Sequence, residues 1–164
     1  MTKGILAALA LLITLPTTST AQDLSSAIVG VWKVVSIETK ETQSGNVTRP
    51  LGDSLAGTFT FTRGGNFAGM VFRTDRKAPA AANATEAERV ALFNSLVAYN
   101  GTYRIDGDKL VMKIDNSHIQ SWNGTNRTLT IEINGKRLLG RSAPLKAAST
   151  GLEIVAENVW ERIE

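Results

Sequence analysis

The chain has one histidine, His118, and the nearest preceding carboxylate is Asp115. A histidine acting as general base needs an orienting acid of this kind. On a strand, however, an offset of three puts the two side chains on opposite faces. No catalytic residue is therefore assigned, and a binding protein is expected rather than an enzyme. There is no cysteine and no carboxylate cluster at ligand spacing, so neither a metal nor a cofactor is expected. Arg73, Asp75 and Arg76 stand together in one loop. They fit two readings: forked donors for a ligand carboxylate, or an ion-paired loop that stiffens a connection. Arg73, Arg76 and His118 are the candidate polar residues of a ligand mouth. Tyr99 and Tyr103, four apart, share one face of a strand. With Phe59, Phe61, Met70, Phe72, Met112 and Trp122 they form a candidate cavity lining, mostly apolar with a few polar groups. The alternative for each is ordinary core packing, where aromatics and methionine go first.

Short strands must position these residues. Val31 to Lys40 is rich in β-branched residues and is followed by a turn at Gly45-Asn46. Pro50 to Asp53 makes a second break. Ala56 to Thr62 alternates Phe59 and Phe61 against three threonines, the mark of a half-buried strand. Arg63 to Asn66 is a hairpin loop, and Phe67 to Phe72 runs back. Tyr99 to Ile105 alternates again and ends at Asp106-Gly107, a tight-turn dipeptide. Leu110, Met112 and Ile114 carry the next strand. Leu129, Ile131 and Ile133 carry another, ended by Asn134-Gly135. Arg137 to Arg141 and Leu152 to Arg162 follow. The expected fold is all-β: a single antiparallel up-and-down barrel of about eight strands, the size at which an interior admits one small ligand or fills itself. One segment differs. Thr85 followed by Glu86 and Glu88 reads as an N-cap with early acids, and Val90, Phe93 and Val97 follow at helical spacing. A short helix over 86–96 is expected, either a lid over the barrel mouth or a plug for an open end.

The N-terminus reads as an address. Lys3 precedes an uncharged apolar run from Gly4 to Leu15, and Ser19-Thr20-Ala21 offers small residues for cleavage after Ala21. Residues 1–21 are expected to be a removed signal peptide, 22–27 a flexible leader, and 28–164 the barrel domain. The protein is then exported, to the periplasm or the medium. The apolar run is short for a bilayer, which needs roughly 20 residues, so no stable membrane insertion is expected after cleavage. The mature chain carries 17 Lys and Arg against 15 Asp and Glu. That near balance, with no aromatics interleaved among the basic spots, argues against nucleic-acid binding. Five Asn-x-Thr triplets occur; they read as the composition of a Thr- and Asn-rich bacterial exported protein.

Several pieces, in order, resemble a known family. Gly30-Val31-Trp32 with Val34-Val35-Ser36, Pro50-Leu51-Gly52, Arg73-Thr74-Asp75-Arg76 and Tyr99-Asn100-Gly101-Thr102-Tyr103 are similar to segments of the bacterial and fungal lipocalin-like domain family. So are Trp122-Asn123-Gly124-Thr125 with Arg127, and the closing Trp160-Glu161-Arg162. The family often has histidine early in the strand that here holds Lys113, Ile114 and Asp115, and a proline where this chain has Ser121. The resemblance implies a lipocalin-like barrel with an apolar ligand.

Trp32, Trp160 and Arg162 are expected to be structural, at the end of the barrel. A large indole fills a wide gap there. Arg162 or Arg141 is expected over the Trp32 face, a cation–π contact worth roughly 0.5–2 kcal/mol. The expected partner of the protein is a small apolar or amphipathic molecule. Two alternatives are a cofactor-independent isomerase- or cyclase-type enzyme, and a filled barrel of the envelope with a protein partner. Oligomeric state has no sequence signature here.

Overall fold

The computed structural model describes residues 23–147 and 150–164. The expected signal peptide and its cleavage point lie outside the described residues. Helix α1 (Leu24–Ala27) leads into β1 (Gly30–Glu41), β2 (Val47–Thr48), β3 (Leu55–Phe61) and β4 (Asn66–Arg73). Helix α2 (Glu86–Phe93) follows, then β5 (Leu96–Asp106) and β6 (Lys109–Ser117). A 3-10 turn (Gln120–Trp122) precedes β7 (Asn126–Asn134), β8 (Arg137–Ser142), β9 (Leu145–Lys146) and β10 (Glu153–Arg162). All pairings are antiparallel, in the order β1-β3-β4-β5-β6-β7-β8-β10, and β10 pairs back onto β1 to close the barrel. The two-residue strands β2 and β9 extend this wall at β1 and β10.

Closure follows from the alternation of the strands. Cross-strand partners share a face, so the register turns local alternation into an inside and an outside. Trp32, Phe59, Gly69 and Tyr99 are linked through successive strands, as are Val34, Trp160, Leu138 and Ile133. These positions point inward. The β1–β10 seam runs from Trp32 opposite Arg162 to Glu41 opposite Ile154, with an irregularity between Val34 and Ser36. That extra residue lets Val35 stay exposed while Ile37 returns to the core. Asp106 and Asn134 pair within the ladder, opposite Lys109 and Arg137. The tight turns are therefore Gly107-Asp108 and Gly135-Lys136, one residue later than the dipeptides suggest. Only the glycine of each has positive φ, the II′ pattern.

One end of the barrel is shut. The side chains of Ile28, Trp32, Phe61 and Leu110 are almost completely removed from water there, each worth about 1.5–3 kcal/mol as buried apolar bulk. The Trp32 indole donates from Nε1 to the Ile28 carbonyl at 2.8 Å. Arg162, rather than Arg141, lies over the Trp32 ring at 4.2 Å. Its guanidinium donates to the carbonyls of Val29 (2.7 Å) and Ala27. Arg141 points outward and pairs with Glu157 at 2.7 Å. Over its described part, 23–27, the flexible leader expected for 22–27 is corrected by α1: the Asp23 side chain caps the turn by accepting from the Ser25 amide, and Ala27 is buried. The two bonds from Arg162, 133 and 135 residues away in sequence, tie this segment down; no local pattern shows them.

The helix at the other end behaves differently. α2 starts as the sequence suggests, with a full capping box between Thr85 and Glu88. It stops at Phe93 rather than Leu96, because Asn94 caps it and the Ser95 hydroxyl donates to the Leu92 carbonyl. Leu96 joins β5 opposite Phe72. No residue of α2 is buried, and Val90 and Phe93 are each about half exposed (53% and 52%). α2 is therefore not a plug.

Candidate functional site at the barrel mouth

The interior divides into a floor and a mouth. The floor is a pack of rings. Phe59 meets Trp160 at 5.8 Å and Tyr99 at 5.4 Å, both edge to face, and Phe61 meets Tyr103 at 5.1 Å. Two glycines make room for it. A Cβ on Gly69 would sit 2.2 Å from the Phe59 ring, and one on Gly140 2.9 Å from the Trp160 ring. The Tyr103 hydroxyl donates to the Thr62 carbonyl at 2.8 Å. Burial pushes that hydroxyl above its ordinary range. The Trp160 Nε1 donor is buried and has no acceptor among the described residues.

Above the floor the wall changes character. Ile37 stands opposite Asn158 and Thr39 opposite Ala156, on the same face of their strands as Trp160. Ser142 shares a face of β8 with Gly140 and Leu138, and its hydroxyl accepts from the Ala156 amide at 2.9 Å. Apart from Ile37 these side chains are small or polar, and each is only half-buried although it points inward. Water reaches these side chains.

Three segments meet at the rim of the mouth. Arg127, the second residue of β7, stands opposite the inward, buried Met112. Its guanidinium lies 3.9 Å over the Trp122 ring and 5.9 Å from the Tyr99 ring centre. Trp122 in turn packs edge-on against Tyr99 at 5.7 Å. Burial pushes the Tyr99 hydroxyl upward, and the charge and donor groups of Arg127 pull it part of the way back. Arg127 has no acidic partner among the described residues.

The candidate residues separate accordingly. Phe59, Phe61, Tyr103 and Met112 belong to the packed floor, while Tyr99 and Trp122 reach from floor to mouth. Met70 and Phe72 do not line the interior. In β4 the inward positions are Phe67, Gly69 and Val71, so Met70 and Phe72 face out, Met70 at 55% exposure. Phe67 and Phe72 lie on opposite faces, and the alternation of β4 alone does not choose between them. His118 is also outside the barrel. Its Nδ1 lies 3.1 Å from the Ala98 amide and accepts from it, its ring packs on Phe93 at 5.1 Å, and Asp115 is taken by Lys113. His118, Met70 and Ala98 line a shallow outer groove of about 310 Å³.

Arg73 and Arg76 line a larger cleft, about 710 Å³, between α2 and the loop before it, with Lys77, Ala87, Ala91 and Leu92. Both arginines are engaged. Arg73 makes a two-pronged bond to Asp75 (2.6 and 2.9 Å), holding that carboxyl below the usual carboxylate range. Arg76 lies over the Phe72 ring at 4.9 Å. The ion-paired reading of this loop holds for Arg73 and Asp75, while Arg76 has no ion pair among the described residues. Arg127 is the residue that sequence reasoning missed as a site candidate. A signal was present: it shares the alternation of Leu129, Ile131 and Ile133, a charge at the head of an apolar stripe.

A solved lipocalin-like protein from Bacteroides uniformis is similar at 13% identity with a TM-score of 0.45, covering 83% of this chain and 98% of its own. An uncharacterized protein from Bacteroides eggerthii is similar at 15% identity with a TM-score of 0.40, covering 82% and 98%. Among curated proteins, none matches this chain. The model of the lipocalin-like domain family matches residues 29–163, nearly the whole described barrel, and the chain belongs to that family.

Proposed function

We propose that this protein is an exported lipocalin-like barrel that binds one small apolar or amphipathic molecule in the mouth half of its interior. The observation that carries this reading is the half-buried inward wall of Thr39, Ala156, Asn158 and Ser142, standing over a ring-packed floor. Inward positions of a filled barrel are buried; these are not. A ligand there would gain about 25 cal/mol per Å² of apolar surface removed from water, before the costs of ordering it.

The test is native mass spectrometry and solvent extraction of the protein purified from its own host compartment. A bound small molecule is expected in the wild type, lost in Ala156→Trp, which fills the mouth, and retained in Met70→Ser, which alters only the outer face. An empty wild type that also fails to take up added lipid extracts would overturn the reading. Export is tested by the mass of the mature protein. A chain beginning at Gln22 is expected, and one retaining residues 1–21 would contradict it.

A further inference from the structure

Two arginines stack on tryptophans in this barrel, and they differ in what their donors do. The Arg162 fork is filled by main-chain carbonyls. The Arg127 fork meets no carboxylate among the described residues, and Trp122 and the Tyr99 ring and hydroxyl lie beside it. Guanidinium groups present five N–H donors in a fixed plane, so most of that capacity is open at Arg127. Trp122 fixes the plane by stacking, and register with Met112 directs it toward the mouth rather than the outer wall.

We infer that Arg127 is the head-group clamp of the mouth and that the ligand is an amphipathic monoanion, a carboxylate with an apolar tail. This rests on the binding reading above. The fork matches the two oxygens of a carboxylate. The Tyr99 hydroxyl lies beside the same guanidinium. A cationic amphipath meets an unpaired guanidinium, and a neutral one leaves the fork unmatched.

The experiment is calorimetric titration of the full mature protein with decanoate, decan-1-ol and decyltrimethylammonium. In the wild type, decanoate is expected to bind about tenfold or more tighter than decanol, the size of one charge-assisted hydrogen bond, and the ammonium compound to bind weakest. Arg127→Gln should bring decanoate down to the level of decanol and leave decanol within about twofold. Arg127→Lys, with charge but no fork, should fall between. Arg141→Gln, on the outer wall, should change neither. Equal binding of decanoate and decanol by the wild type would overturn the clamp and leave the binding reading standing. So would an equal loss of both in Arg127→Gln, since a packing role lowers both alike. Failure of all three probes to bind would overturn the binding reading, and the clamp with it.

Discussion

The two ends of this barrel use the same pair of residue types for opposite purposes. At the shut end, Arg162 covers Trp32 at 4.2 Å and donates to carbonyls of the chain that leads into β1. At the mouth, Arg127 covers Trp122 at 3.9 Å and has no ion pair among the described residues. The difference lies in the surroundings of the stack, not in the stack itself. A guanidinium whose donors are filled by main chain is a rivet. One whose donors face an accessible interior can receive something. The two helices repeat the contrast. α1 is one turn long yet contributes buried Ala27 and leads into buried Ile28, whereas α2 is twice as long and buries nothing.

The largest test of this contrast is Trp32→Ala, which should cost about 3–5 kcal/mol in urea denaturation because it empties a fully buried site. Trp122→Ala, at a half-buried position, should cost markedly less. Arg162→Met comes next, with an expected loss of about 2–3 kcal/mol from the charge-assisted bonds to Ala27 and Val29. Arg127→Met should change stability by less than about 0.5 kcal/mol, as exposed substitutions do. Equal losses for the two arginines would end the distinction between rivet and receptor.

A third comparison sets floor against wall. Gly69→Ala drives a Cβ into the Phe59 ring and should destabilise by about 1–3 kcal/mol. Ala156→Val, on the accessible wall, should cost less than about 1 kcal/mol. Similar thermal shifts for both would mean that the mouth is as tightly packed as the floor.

The smallest effects belong to α2. Thr85→Ala should remove about 1 kcal/mol of local helix stability and leave the unfolding midpoint of the barrel unchanged, since α2 adds nothing to the core. Glu88 accepts from the Ala80 and Thr85 amides and from the Thr85 hydroxyl, and these bonds hold its carboxyl below its ordinary value of 4.5. A carboxyl lowered in the folded state stabilises fully above its unfolded value, and that contribution is lost as pH falls through the folded one. The capping of α2 should therefore weaken from about pH 4.5 downward. Amide proton shifts of Ala80 and Thr85 in an NMR titration should move together with a midpoint below that value. A midpoint above it would show that the box is not formed.

Much of the fold was legible because strand alternation has a period of two and reads locally. Phe59 and Phe61 against their threonines marked β3, and Leu129, Ile131 and Ile133 marked β7. The N-cap of α2 was legible for the same reason: Thr85 and Glu88 bond to each other. The site was less legible. Met70 and Phe72 looked as apolar as Phe67, and only pairing with β3 and β5 put them outside. The anchoring of α1 depends on a side chain at the far end of the chain.

By itself the sequence determined that eight alternating runs would form antiparallel ribbons, and that two tryptophans would need large gaps to fill. Those are properties of neighbours along the chain. Only the closed barrel decided which face became the interior and which inward positions stayed within reach of water. It also decided which arginine kept its donors free. Each depends on register between segments far apart in sequence, and register is set by closure and not by any one strand.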